Sequence, residues 1–179
     1  MNPSPPSTAQ HPTSVPVVDA ADFRDGMRRL ASGVALVTTS GDTGPAGLAV
    51  TAVSSVSVEP PSLLICVNRA ASAHDAILAA GGFAVNVLAG EHTGILESFS
   101  QSARRHERFA HPDWTTATTG MPVLRSAVAS FECRITERIG YGTHSIIIGD
   151  VVAAHSDDGT ADPLIYLDRH TRSLAEHSA

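Results

Sequence analysis

Cysteine and aromatic residues are scarce in this sequence, and long apolar runs are missing. Among 179 residues there are two cysteines, Cys66 and Cys133, and only 4% of the residues are aromatic. Both cysteines lie inside apolar stretches with no Cys-x-x-Cys pair, which excludes a disulfide-dependent scaffold and fits a reducing compartment. No run approaches the roughly 20 apolar residues of a membrane-spanning helix. We therefore expect a cytoplasmic protein whose core is built mainly from aliphatic side chains.

Positive charge and the common catalytic motifs are also in short supply. The formal net charge is -6 with a pI near 5.8, so the surface should repel nucleic acid and anionic lipid. We expect neither as a partner. The sequence contains no Gly-x-Ser-x-Gly elbow, no Walker phosphate loop and no His-Glu-x-x-His pair. Its nine histidines are scattered without cysteine or carboxylate at zinc spacing, so no metal site is expected.

The local patterns divide the chain into a tail and one domain. Residues 1–18 are rich in Pro, Ser and Thr without periodicity, so a flexible tail is predicted. The remainder, 19–179, is predicted to form one domain, because its length suffices to bury a core. A first helix should follow Asp19, which can cap it, and should end at Gly33. Its apolar residues recur on one face: Phe23, Met27, Leu30 and Ala31.

Strand patterns dominate after this helix. The predicted strands are Val34–Ser40, Leu48–Val58, Leu63–Val67, Phe83–Leu88, Val128–Ile139, Ser145–His155 and Leu164–Leu167. A capped helix is predicted from Ser72 to about Ala80, with Asp75 completing a capping box. Residues 90–126 are predicted to be mostly helical or irregular. Because regular helices do not separate the strands, we expect a mainly β fold, a β-barrel with a few peripheral helices, and not a doubly wound sheet.

One candidate site lies where the strand Leu63–Val67 ends. Asn68 and Arg69 follow this strand, and Ser72 and His74 belong to the start of the next predicted helix. Free N–H groups at a helix N-terminus, together with an arginine, can bind a phosphate. An ordinary helix cap beside a solvated arginine explains the same pattern, and the residues alone leave both interpretations open.

Two other stretches are unusual. Thr51, Ser54 and Ser55 belong to a predicted strand rich in small hydroxyl residues, which leave room for a flat ligand, although a strand with one wet face is the alternative. His144 lies in Gly-Tyr-Gly-Thr-His-Ser at the mouth of another strand. An imidazole there can hydrogen-bond a ligand or carry a proton near neutral pH, and a purely structural hydrogen bond is the alternative.

Several segments together resemble the flavin reductase-like family, from about Phe23 to Leu174. In order they are A-S-G-V-A-L-V-T-T, A-V-S-S-V-S-V-E-P-P-S-L-L-I-C-V-N-R, G-G-F-A-V-N-V-L, G-M-P-V-L, F-E-C-R-I, G-T-H-S-I-I-I-G-D-V and P-L-I-Y. Each segment is weak alone, but their order and spacing are specific. The resemblance implies an FMN-binding split barrel of the Greek-key type.

The resemblance also implies an activity and partners. It implies an NAD(P)H-dependent flavin reductase that transfers a hydride from NADH or NADPH to FMN or FAD. A homodimer and a separate monooxygenase that receives the reduced flavin are implied as well. Two alternatives remain: a flavin-binding protein without turnover, such as a sensor or carrier, and a split-barrel oxidoreductase of different chemistry.

Roles for individual positions follow from the same resemblance. The implied flavin-binding residues are Val50, Thr51, Ala52, Ser54, Ser55, Asn68, Arg69, Ser72, His74, Phe83, Ala84 and Tyr166. Among them, Asn68, Arg69, Ser72 and His74 match the part that holds the ribityl and phosphate groups. His144 matches a histidine placed where the nicotinamide docks. The sequence departs from the family pattern at Ala49, where Thr is common, and at Thr171, where an aromatic residue is common.

Overall fold

The computed structural model describes residues 16–42 and 44–174. The predicted flexible tail falls largely in 1–15, outside the described residues, so it stays a prediction. The helices are α1 Ala20–Met27, α2 His74–Ala80 and α3 Thr93–Ser100, with 3₁₀ turns at Gly90–His92 and Ser102–Glu107. The strands are β1 Ser32–Gly33, β2 Ala35–Gly41, β3 Gly44–Val50, β4 Val53–Val58, β5 Pro61–Asn68, β6 Gly82–Val87, β7 Trp114–Thr116, β8 Pro122–Leu124, β9 Ala129–Tyr141, β10 His144–Ser156, β11 Ile165–Leu167 and β12 His170–Arg172.

Seven strands form one antiparallel sheet in the order β3-β2-β6-β9-β10-β5-β4. The strands at the two ends of this order, β3 and β4, are consecutive in the chain, and only Thr51 and Ala52 separate them. The sheet must therefore curl until its ends meet, which makes it a split barrel and confirms the expected mainly β fold. The prediction of Leu48–Val58 as a single strand was wrong, because β3 pairs with β2 whereas β4 pairs with β5.

Aliphatic side chains fill the barrel, as the shortage of aromatic residues requires. Val37, Ile65, Val67 and Ile147 are buried there together with Phe83. The opposite face of β2 is also covered, because Leu36 packs in a second cluster against α3 and β8. β2 is therefore buried on both faces. Its neighbour β3 pairs with it up to Val50, the residue that precedes Thr51.

The first helix is capped as predicted but is shorter and more exposed. The backbone N–H groups of Ala21 and Asp22 donate to Asp19 Oδ1 at 2.7 and 2.9 Å. The helix ends at Met27, well before Gly33. Its apolar side chains, including Phe23 at 58% exposure, are not covered within the single chain. The periodicity thus predicted the helix correctly but not the burial of its face.

The second helix begins two residues later than predicted, and the capping box is absent. Ala73, not Ser72, occupies the N-cap position, and no side chain caps the helix. Before the helix the chain forms a turn, in which Asn68 Oδ1 accepts from the Ala70 N–H at 2.9 Å. Asp75 binds the neighbouring His74 ring instead of reaching back. The helix ends at Ala80 as predicted, and Gly81, at φ 67°, is its C-cap.

The long hairpin β9–β10 confirms the prediction for this part of the chain, with Tyr141 paired to His144. The short strands β1, β7, β8 and β12 were not predicted, because two or three residues are too few to show alternation. Within the described ranges, no helix is long and apolar enough to span a membrane.

Candidate active site

A cleft of about 470 Å³ lies where β3 leaves the sheet, between α3 and the β11–β12 hairpin. Its lining residues are Val34, Ala49, Val50, Thr51, Leu96, Ser100, Tyr166, Arg169, His170 and Thr171. A second cavity of about 280 Å³ shares Val34 and Thr51 with it. The cleft thus brings together three of the predicted site residues, Val50, Thr51 and Tyr166. The two departures from the family pattern, Ala49 and Thr171, line the same cleft.

Thr51 occupies the link between β3 and β4 and is exposed to solvent. The next residue is anchored, because the Cys66 N–H donates to Ala52 O at 3.1 Å. Thr51 itself lies outside both strand ladders. Its hydroxyl has no partner among the described residues. The hydroxyl and the backbone groups of Thr51, in the link that closes the sheet, are therefore available to a ligand in the cleft.

A second group of predicted residues lies together at the end of β5. Asn68 is paired with His144 across the ladder, and the Arg69 N–H donates to Thr143 O at 3.0 Å. The Arg69 guanidinium donates to the carbonyl of Gly142. The hydroxyl of Thr143 lies 2.9 Å from His144 Nδ1, which orients the imidazole, and Nε2 has no partner among the described residues. The structure thus joins Asn68, Arg69 and His144 around the β9–β10 turn.

The two groups lie at the same end of β5. Val53 pairs with Ile65 and Ala52 O accepts from the Cys66 N–H, so the chain just after Thr51 lies beside the last residues of β5. At about 3.3 Å per residue, Asn68 is roughly 7 Å beyond the contact between Cys66 and Ala52. A ligand of nucleotide size can therefore contact both groups.

Two predicted residues, Ser54 and Ser55, are exposed but lie farther along β4, opposite Leu64 and Leu63. The Ser54 hydroxyl donates to the carbonyl of Ser55. Neither residue lines the cleft. Ser72 is exposed in the turn before α2 and forms no cap.

Three predicted flavin contacts lie in the interior. Phe83 and Ala84 are fully buried, because β6 is covered on one side by the barrel core and on the other by Met121 and Val123. Side chains with no exposed surface do not contact a ligand in the cleft, so the structure does not support direct roles for them. His74 is 6% exposed, with Nε2 3.0 Å from Ser145 Oγ and Nδ1 2.7 Å from Asp75. It ties α2 to β10 instead of facing a phosphate.

Five lining residues were missed by the sequence prediction, and one of them is Val34, which lies between β1 and β2. Leu96 and Ser100 come from α3, Arg169 from the β11–β12 turn and His170 from the start of β12. Arg169 and His170, close behind Tyr166 in the sequence, were the available signal. Because β12 had not been predicted, nothing indicated that the chain turns back there.

The charge of the cleft is opposite to that of the whole chain. Its lining contains an arginine and a histidine but no carboxylate, whereas the chain carries a formal charge of -6. A locally positive cleft on an acidic protein concentrates anionic ligands. It is therefore suited to phosphorylated molecules.

A larger cavity of about 670 Å³ lies on the other side of α3 and includes none of the predicted site residues. Its cations are already engaged. Arg104 pairs with Glu97 and Glu107, and the Arg108 guanidinium donates to the carbonyls of Ser98, Gly47 and Phe99. Arg108 thus joins α3 to the barrel, which is a structural role.

Fold and site together define a split β-barrel with a positively charged cleft at the closure of its sheet. The flavin reductase like domain model matches residues 27–175. The FMN reductase (NADH) RutF of Stutzerimonas stutzeri (strain A1501) is 43% identical over 162 residues, covering 90% of this chain and 92% of that protein. The chain therefore belongs to the flavin reductase-like family.

Solved structures agree with this assignment. BorF, the flavin reductase component of a bacterial two-component tryptophan halogenase, superposes with a TM-score of 0.80 at 33% identity, covering 87% of this chain and 98% of that one. SgcE6, the Streptomyces globisporus C-1027 NADH:FAD oxidoreductase, in complex with NAD and FAD fragments, gives 0.81 at 28% identity, covering 92% and 100%.

Proposed function

We propose that the chain is a flavin reductase that transfers a hydride from NADH to FMN and supplies reduced flavin to a separate monooxygenase. The observation that carries this proposal is the positively charged cleft at Thr51 and Tyr166 in a member of the flavin reductase-like family. The names of the relatives add support: RutF is an FMN reductase that uses NADH, and BorF is the reductase component of a two-component system.

The residues of the cleft fit a flavin. Apolar side chains of Val34, Val50 and Leu96 suit the faces of a flat ring. Polar groups of Thr51 suit the ring edge, which carries both hydrogen-bond donors and acceptors. The positive charge of the cleft suits a phosphorylated cofactor. Apolar walls with a few convergent polar groups are typical of cofactor sites.

The chemistry demands little from the protein beyond positioning. Bound flavin supplies the hydride acceptor, so no acid or base of the chain has to act on the transferred hydride. The chain's part is to hold two rings in register, which converts an encounter in solution into an oriented reaction. The lining of the cleft, which contains no carboxylate, agrees with this division of labour.

His144 is proposed to position the nicotinamide. Its Nδ1 is held by the Thr143 hydroxyl, so Nε2 is free for the carboxamide of the incoming cofactor. Its cross-strand neighbour Asn68 and the adjacent Arg69 would contact the ribityl and phosphate groups of the flavin, as the family resemblance implies. Ser54 and Ser55 stay candidates for contacts at the outer edge of the site.

We further propose a homodimer. Large apolar side chains are exposed on three strands of one half of the barrel: Val56 and Val58 on β4, Ile139 and Tyr141 on β9, and Val152 on β10. Exposed apolar surface of this kind marks association sites. Sedimentation equilibrium should give twice the mass of the 18.6 kDa chain. A single 18.6 kDa species at micromolar concentration would contradict the dimer.

Steady-state oxidation of NADH and NADPH by the purified chain, with FMN or FAD added, tests the proposed activity. NADH with FMN should be consumed fastest, and omission of flavin should stop the reaction. If the protein binds flavin but oxidises neither nicotinamide above the rate without enzyme, the flavin-binding alternative replaces the reductase.

A further inference from the structure

We propose that Arg169 binds a phosphate group of a nucleotide in the cleft and that contacts of its turn with the residues after α1 hold it in place. This inference rests on the proposed function, because it assumes that a phosphorylated nucleotide enters the cleft. It assigns a role to a residue that neither the sequence motifs nor the family resemblance singled out.

Arg169 is the uncommitted cation of the cleft. Its side chain is exposed, lines the cavity and has no hydrogen-bond or ion-pair partner within 16–42 and 44–174. The guanidinium of Arg69, by contrast, is engaged with the Gly142 carbonyl. An arginine without a carboxylate partner keeps its full set of donors for a phosphate, which it binds in a bidentate manner.

The backbone at Arg169 is unusual. Asp168 and Arg169 form the two-residue turn between β11 and β12, with φ of 51° and 68°. Turns with two consecutive left-handed residues favour Asn-Gly or Asp-Gly, because glycine has no Cβ to clash. An arginine held where glycine is preferred indicates that its side chain is required there.

The turn is held by the two arginines that follow α1. The Asp168 N–H donates to Arg28 O at 2.9 Å, and Asp168 Oδ1 lies 3.3 Å from Arg28 Nε. Asp168 Oδ2 lies 3.8 Å from Arg29. These contacts support the left-handed turn. They also neutralise the carboxylate of Asp168, so that it does not compete with a phosphate for Arg169.

Both FMN and NADH carry phosphate, and the binding measurements separate the two sources. Replacing Arg169→Gly removes the guanidinium and gives the turn its preferred residue, so thermal stability should be unchanged or higher. If the FMN phosphate is the ligand, the Kd for FMN should rise about tenfold while that for riboflavin is nearly unchanged. If the NADH pyrophosphate is the ligand, the Kd for NADH should rise by the same factor instead.

Two further variants complete the test. Arg169→Lys keeps the charge and should recover part of the lost affinity. Arg172→Ala is the matched control, because Arg172 is exposed on the same hairpin but does not line the cleft. The inference is overturned if Arg169→Gly changes neither Kd by more than Arg172→Ala does.

The readouts are binding constants, so they are independent of turnover. Failure of the proposed function would appear as bound flavin that NADH does not reduce. Failure of this inference would appear as unchanged FMN and NADH binding in the Arg169→Gly protein.

Discussion

His144 is exposed at the start of β10, beside the end of β5 where Asn68 and Arg69 lie. Replacing His144→Ala should raise the KM for NADH about tenfold, because a hydrogen bond to the carboxamide is lost, while the Kd for FMN stays nearly constant. Steady-state kinetics and flavin titration measure the two constants.

A matched control for His144 is available on the same strand. His155 is exposed near the other end of β10, opposite Ser130, and its replacement by alanine should leave both constants unchanged. Loss of FMN affinity in His144→Ala would show that this side chain contacts the flavin instead.

Another histidine, His92, contributes to the pH dependence of stability. Burial is the main cause that lowers the pKa of His92 from 6.5; Glu91 and Asp113 raise this pKa, and the nearby His111 lowers it further. The Ala89 N–H donates to Nδ1 at 2.9 Å, which favours the neutral ring. Below pH 6.5 the unfolded chain therefore binds more protons than the folded one, so stability falls as pH falls from 6.5 to the lowered pKa.

Replacing His92→Gln should remove this part of the pH dependence. Urea unfolding at several pH values between about 5 and 7.5 should show a flatter profile for the variant than for the native chain. The same substitution at His106, whose side chain is 79% exposed, serves as the control. Parallel profiles for the native chain and the His92 variant would contradict this account.

At the scale of single residues, the sequence predicted well which residues lie close together. It predicted less well which of their side chains are exposed to a ligand. Asn68, Arg69 and His144 meet at one turn, and Val50, Thr51 and Tyr166 line one cleft. Burial was the missing information. Matching positions in a motif do not reveal that a side chain is enclosed by neighbouring strands, as with Phe83.

Among the elements, β6 holds together parts of the molecule that are far apart in the chain. The fully buried Asn86 donates to Leu36 O at 3.2 Å and to Thr38 Oγ1 at 3.1 Å, and its Oδ1 accepts from the Leu124 N–H at 2.8 Å. One amide thereby links β6, β2 and β8.

Replacing Asn86→Ala should lower the free energy of unfolding by about 2–4 kcal/mol, since the Leu124 N–H is left buried without a partner. Urea denaturation measures the loss. Asn68→Ala, at an exposed position, should cost less than about 1 kcal/mol. Equal losses for the two variants would show that the buried amide does not link the strands.

Strand prediction succeeded where the elements are long. The β9–β10 pair spans 13 residues on each side and shows its alternation clearly. It failed at Leu48–Val58, where the pattern runs unbroken through Thr51 although the chain passes from one end of the sheet to the other. Alternation records which face a residue occupies, not which neighbour its strand pairs with.

For the molecule as a whole, the mainly β class follows from the sequence, but the closure of the barrel does not. The strand order depends on contacts between residues far apart in the chain, such as those between β5 and β10. The family resemblance supplied the split barrel, and the consecutive strands at the two ends of the sheet explain it physically. The cleft lies where the sheet closes, so the strand order that forms the barrel also forms the site.

Anaerobic mixing of NADH with the FMN-loaded protein tests the central claim most directly. If the cleft is a flavin reductase site, the visible absorbance of oxidised FMN should disappear in a single exponential phase, much faster than for free FMN at the same NADH concentration. Reduction of the bound flavin no faster than that of free FMN would contradict the account.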